Sequence, residues 1–166
     1  MTFPRTPQFG AILFRCGELI GRQGQAVHDD LGISVDARKI SIILSLSKFG
    51  PMSSSELADV IGISRQLIEQ RVKSSVADGF LISHQSPKDS RKRVYDFSEP
   101  GRLQADQIIN MMVDFEKVYA DLWKEIGVEL EANLLAFESA LEEKSLTQRL
   151  CKKFPKYETL EEVSDQ

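Results

Sequence analysis

The chain has 166 residues, 42% of them apolar and 28% charged, with a formal net charge of −4. That balance excludes wholesale disorder and suffices for one well-buried domain, or for one domain with a helical extension. No apolar run approaches the roughly 18 residues of a membrane span, and Ala11 to Phe14 is too short for a signal-peptide core, so a cytoplasmic protein without membrane association is expected. Cys16 and Cys151 sit far apart and imply no disulfide framework.

Residues 2–7 contain Pro4 and Pro7 and little pattern, as a loose arm would. From Gln8 to Leu31, Phe9, Ile12, Leu13, Cys16, Leu19, Ile20 and Val27 recur at helical spacing. Gly17, Gly21 and Gly24 each weaken that helix by up to about 1 kcal/mol relative to alanine, so they either allow a close crossing or mark a bend. Gly21-Arg22-Gln23-Gly24 has the form of the Gly-x-x-Gly clamp of a KH-type RNA-binding module, but the strands such a module needs are missing. His28-Asp29-Asp30 reads as a polar helix end. Asp36 caps the next helix, which runs to Phe49 through Ile40, Ile43, Leu44 and Leu46 and stops at Gly50-Pro51.

Ser53, Ser54 or Ser55 can cap a third helix with Leu57, Ala58 and Ile61 on its apolar side, ended by Gly62. Ser64 caps a fourth, in which Ile68, Val72 and Val76 form a stripe up to Asp78-Gly79. Arg65, Gln66, Gln70, Arg71 and Lys73 occupy its other sides. Two short helices joined by so tight a turn form a helix-turn-helix, whose second member can lie in a DNA major groove. Phe80-Leu81-Ile82 and Arg93 to Phe97 then read as two strands joined by a turn over Ser86 to Ser90. The tip of this hairpin concentrates Lys88, Arg91, Lys92 and Arg93, well placed for phosphates or a minor groove. From Ser64 to Arg93 seven cations face three anions, net +4, so the remainder carries −8. One cationic face on an acidic body suits a nucleic-acid partner.

Ser98-Glu99-Pro100-Gly101 is a helix start. The pattern from Leu103 through Ile108, Met111, Met112, Phe115, Val118, Tyr119, Leu122, Trp123 and Ile126 predicts a helix of about 28 residues, some 42 Å long. Gly127 permits a bend, and Val128 to Leu141 form a last amphipathic helix. The predicted fold is mainly α with a small β-hairpin wing. Residues 1–35 are an arm and a helix contributing to dimerisation, 36–98 a winged helix-turn-helix, 99–145 C-terminal dimerisation helices and 146–166 a tail. The surplus apolar surface of the long helix calls for a second copy, and a two-fold pair would set its recognition helices about 34 Å apart, matching successive major grooves.

Glu56-Leu57-Ala58, Gly62-Ile63-Ser64-Arg65, Asp78-Gly79-Phe80-Leu81 and Pro87-Lys88-Asp89-Ser90-Arg91 through Pro100-Gly101-Arg102 resemble, in order and spacing, the multiple antibiotic resistance regulator (MarR) family of winged-helix transcription factors. The resemblance implies a homodimeric regulator, in most relatives a repressor, on pseudo-palindromic double-stranded DNA. In that reading Ser64, Arg65, Gln66 and Gln70 approach base edges or adjacent phosphates and Lys73 meets phosphate. Arg91 enters the minor groove with Asp89 steering it, Lys92 or Arg93 meets backbone phosphates, and Lys88 is a further DNA-binding cation of the wing tip. Arg71 and Ser75 depart from the family pattern, standing where leucines usually pack the recognition helix, and Ser90 replaces an arginine common in the wing. Many relatives release DNA when a small aromatic anion lodges beside the DNA-binding lobe. Phe14, Met111, Met112 and Phe115, with Trp123 near, are the residues that could line such a cleft. Cys16 lies later than the peroxide-sensing cysteine of some relatives and reads as an inert thiol.

Two other classes compete. His28 and His84 are the only histidines and no Ser/His/Asp order is present, so no catalytic residue, metal site or cofactor is expected. A winged helix that binds an acidic protein partner would use the same cations.

Overall fold

The computed structural model describes residues 8–87 and 89–160. The arm before Gln8, the wing-tip Lys88 and the last residues of the tail lie outside that range. Among the described residues there are seven α-helices and one antiparallel strand pair, and the chain divides into two compact units, Met1–Val113 and Asp114–Gln166.

In the first unit, α1 spans Phe9–Asp30 without a break. A β-carbon on Gly24 would meet the Ala37 Cβ at 3.4 Å and one on Gly21 the Arg38 Cγ at 3.5 Å, while Gly17 faces open space. A β-carbon would thus be accommodated at all three positions, in ordinary contact at Gly21 and Gly24 and in open space at Gly17, so neither a close crossing nor a bend requires glycine there. His28 is not the polar helix end its neighbours suggested. It is fully buried, its Nδ1 lies 2.6 Å from the Val35 carbonyl oxygen, and among the described residues nothing hydrogen-bonds to Nε2. The helix end is tucked under the segment that follows it, so the imidazole fills core space that periodicity alone had assigned to solvent.

Asp36 acts as the expected cap, its Oδ1 accepting from the Arg38 backbone N–H at 2.9 Å, but the turn it opens is a 3-10 helix, Ala37–Lys39, before α2 begins at Ile40. Helix α2, Ile40–Phe49, buries Ile42, Ile43 and Leu46 and stops at Gly50, whose φ of 78° is open to glycine at little strain.

Helices α3 (Ser54–Ile61) and α4 (Arg65–Ala77) form the helix-turn-helix. Ser53 closes a capping box: the Glu56 carboxylate accepts from the Ser53 backbone N–H at 2.8 Å, and Ser53 Oγ accepts from the Glu56 N–H. Leu57, Ile68 and Val72 are completely buried, each contributing about 1.5–3 kcal/mol by leaving water. Ser75, where the resemblance implies leucine, is buried as well; its Oγ donates to the Arg71 carbonyl oxygen at 2.9 Å and so carries no unmet hydrogen bond into the core.

Strands β1 (Leu81–Gln85) and β2 (Arg93–Phe97) pair from Leu81↔Phe97 to Gln85↔Arg93. The first strand starts one residue later than its sequence suggested, because the Phe80 backbone N–H is donated to the Ser75 carbonyl oxygen at the exit of α4, and it runs further, to Gln85; the Phe80 ring lies edge-on to Phe97 with centroids 5.7 Å apart. Met52 exchanges two backbone hydrogen bonds with Tyr95, at 3.2 and 2.9 Å. This bridge ties the entry of α3 to the wing and fixes where the wing stands beside α4.

Helix α5 covers Glu99–Ile126, the length the pattern predicted. Within the first unit Gly101, Ala105 and Ile108 are buried, and Met111 and Met112 pack half-buried against the core. In the second unit the rings of Phe115, Tyr119 and Trp123 follow one another at helical spacing, with centroids 6.1 and 5.5 Å apart. Gly127 ends the helix at a φ of 67°, and α6 spans Leu130–Glu143. The segment expected to be a tail contains a further helix, α7, Leu146–Lys153, with its own capping box between Ser145 and Gln148. Arg149 reaches back to the Lys144 and Ala140 carbonyl oxygens, and the buried Cys151 thiol lies 3.0 Å from the Tyr157 carbonyl oxygen. Among the described residues no helix is long and apolar enough to cross a membrane.

Candidate nucleic-acid interface

Helix α4 is capped by Ser64, whose Oγ accepts from the Leu67 backbone N–H at 3.3 Å. This cap leaves the helix N-terminus exposed with Arg65 in its first turn. Because α4 buries Ile68, Val72 and Ser75, its other sides face outward, and Arg65, Gln66, Gln70 and Lys73 are all exposed. Gln66, Gln70 and Lys73 stand at i, i+4 and i+7 and so share a face.

The wing supplies the second group. Asp89 Oδ1 accepts from the Arg91 backbone N–H at 3.0 Å and lies 3.2 Å from Arg91 Nε. The Arg91 backbone N–H, and then its guanidinium, hold the Asp89 carboxyl below the usual carboxylate range. Lys92 donates its backbone N–H to the Asp89 carbonyl oxygen, and Ser86 donates to that of Lys92, which closes the turn. Arg91, Lys92 and Arg93 are exposed.

These two groups meet. A cleft of roughly 550 Å³ is lined by Arg65, Glu69 and Lys73 from α4, by Arg91, Lys92, Arg93 and Tyr95 from the wing, and by Ser53 to Glu56 with Asp59 from α3. Five of the expected residues thus border one groove, while Gln66 and Gln70 lie on α4 outside its lining. Three carboxylates that sequence reasoning did not assign to the site, Glu56, Asp59 and Glu69, border it too. Only Glu69 left a readable signal, its position one turn after Arg65.

The four residues expected to meet an aromatic effector fall in different settings. Phe14 is 70% exposed on α1. Met111 and Met112 rest against the core, and Phe115 is half-buried with its ring near Tyr119. Among the described residues no cluster of three or more His, Cys, Asp or Glu could hold a metal ion.

The model of the HxlR-like helix-turn-helix family matches residues 35–123, more than half of the chain and the whole of the interface just described. No curated protein sequence matches. Among solved structures, the chain is similar to AdcR, the adhesin competence repressor of Streptococcus pyogenes, at 18% identity over 82% of this chain and 96% of that one, with a TM-score of 0.57. It is also similar to ligand-free MarR of E. coli, at 14% identity over 85% and 98% of the two chains with a TM-score of 0.55. A third likeness is to overoxidised AbfR bound to DNA, at 12% identity over 74% and 92% with a TM-score of 0.55. At these identities the likenesses speak for the fold. The chain belongs to the HxlR-like helix-turn-helix family and is a DNA-binding transcriptional regulator with the winged-helix fold of MarR-type proteins.

Proposed function

We propose that this protein binds a pseudo-palindromic site on duplex DNA as a homodimer and acts as a repressor. The observation that carries the reading is the convergence of Arg65 and Lys73 with Arg91, Lys92 and Arg93 on one groove between α4 and the wing. In an acidic chain such a concentration of exposed cations suits a phosphate backbone. Helix α4 would enter the major groove, with Arg65 on guanine and Gln66 and Gln70 on adenine, and Ser64 and Lys73 on phosphates. Arg91, held by Asp89, would enter the minor groove, with Lys88, Lys92 and Arg93 on the flanking backbone. The DNA complex of the structurally similar AbfR is consistent with that use of the fold.

Dimerisation is supported by apolar side chains left in water. Ile12, Phe14 and Ile20 are exposed on α1, Val118, Leu122 and Ile126 on α5, and Leu134 and Leu135 on α6. Surface of this kind favours a second copy. The finer part of the proposal is release from DNA by a small aromatic acid.

Fluorescence anisotropy on duplexes selected from random sequence, with footprinting and sedimentation, tests the reading. The expected results are a dimer at micromolar concentration, a palindromic footprint and an affinity that falls steeply with salt. A monomer indifferent to any duplex at low ionic strength would overturn it, and salt-sensitive capture of acidic proteins instead of DNA would favour a protein partner. Calorimetric titration with aromatic acids that gave neither heat nor operator release would remove the effector.

A further inference from the structure

Arg65 opens α4 and Glu69 follows one turn later, with Glu69 Oε1 2.9 Å from Arg65 Nε. The arginine side chain is 66% exposed and the glutamate 35%. Among the described residues the hydrogen bond to this guanidinium is made through Nε, and none is made through its two terminal nitrogens. Both residues line the groove between α4 and the wing.

A carboxylate at this place is unfavourable for phosphate binding taken alone, since it repels the backbone that the neighbouring cations attract. Its geometry suggests what it provides. A guanidinium offers two edges for a bidentate contact, one made of Nε with a terminal nitrogen and one made of both terminal nitrogens. Glu69 occupies Nε and so blocks the first. The second edge stays open, and its paired N–H groups match the O6 and N7 acceptors that guanine presents side by side in the major groove.

We propose that Glu69 is a specificity-determining positioning residue: it grips Arg65 through Nε so that the terminal edge of the guanidinium reads a guanine. The proposal rests on the reading that α4 binds duplex DNA. Phosphates do not require a fixed guanidinium orientation, whereas a base edge does, so Glu69 trades general affinity for discrimination. The surrounding water makes this ion pair weak in the free protein. Exclusion of water by the duplex strengthens it when the guanidinium is in use.

The test compares the full chain with its Glu69→Ala, Glu69→Gln, Arg65→Ala and doubly substituted variants. Binding is measured to a selected duplex, to its single-base-pair variants and to a random duplex. Glu69→Ala should bind the random duplex more tightly, because an anion has gone, and should lose about fivefold or more of its discrimination at one G·C pair in each half-site. Glu69→Gln, which keeps an acceptor for Nε, should retain most of that discrimination. In the Arg65→Ala background, Glu69→Ala should change discrimination at no position. Unchanged discrimination in Glu69→Ala would overturn the proposal. So would an equal loss with Arg65 already removed, which would mean that Glu69 contacts a cytosine amino group itself. A wild-type chain that binds no duplex at low ionic strength would instead overturn the DNA-binding reading, so the two failures are told apart by the unsubstituted protein.

Discussion

The Gly101 backbone lies so close to Phe80 that a β-carbon on Gly101 would fall 1.9 Å from the Phe80 carbonyl oxygen. Ser98 stitches the same junction, its Oγ lying 2.6 Å from the Gly79 carbonyl oxygen and accepting from the Gly101 N–H at 3.0 Å. The first turn of α5 is thereby seated directly on the exit of α4. Alanine at 101 would gain up to about 1 kcal/mol of helix propensity. The clash is with backbone, which cannot swing aside, so Gly101→Ala should destabilise the protein by a net of about 2–3 kcal/mol. Chemical denaturation measures this.

Lys39 is a buried cation whose salt-bridge partner stands in water. Its Nζ lies 3.1 Å from Asp78 Oδ2, with the lysine side chain 11% exposed and the aspartate 65%. Removing the carboxylate leaves the ammonium with less compensation, whereas removing the ammonium leaves a solvated carboxylate. Asp78→Asn is therefore expected to cost about 1–2 kcal/mol, below the range for fully buried pairs. Lys39→Met should fall within about 1 kcal/mol of wild type. Equal losses in the two variants by urea denaturation would contradict this asymmetry.

Asp36 should contribute to the acid limb of stability. The Arg38 guanidinium, donating to its side chain, holds the carboxyl below the ordinary carboxylate range, with help from the Arg38 backbone N–H. A carboxylate lowered in the folded state stabilises the fold above its unfolded pKa, and that contribution is lost as pH falls through the folded value. Asp36→Asn should be less stable than wild type at neutral pH, and the gap should narrow as the pH is taken below the carboxylate range. Thermal denaturation at a series of pH values gives the comparison.

Lys73 and Arg91 should separate two kinds of DNA contact. Lys73→Ala is expected to weaken all duplexes alike and to reduce the slope of log affinity against log salt by about 0.9 for each copy, or about 1.8 for a dimer. Arg91→Ala should also lower the preference for a narrow minor groove. An Arg91→Ala protein with unchanged affinity would remove the wing from the interface.

Much of the fold and part of the interface were legible because their signals are local. The Ser53 and Ser64 caps, the Gly50 and Gly62 stops and the stripe of Ile68 and Val72 act within one or two turns, where the backbone can be satisfied by nearby residues. The wing cations were legible by their density. Glu69 was harder to find: its place one turn after Arg65 allows an ion pair, and the structure shows that the pair is made.

The sequence by itself determined where the helices up to α6 lie to within a few residues, that a hairpin follows α4, and which face of α4 carries charge, because capping and periodicity depend on residues a few positions apart; the extent of β1 and the helix α7 were not read from it. Tertiary structure alone decided that His28 is core, that Lys39 meets Asp78 39 positions away and that Ser34 meets Gln104 70 positions away. It also decided that Gly101 must have no side chain and that the wing cations share a groove with α4. Those facts depend on which distant segments pack together, a choice set by the joint burial of the core and encoded in no single stretch of chain.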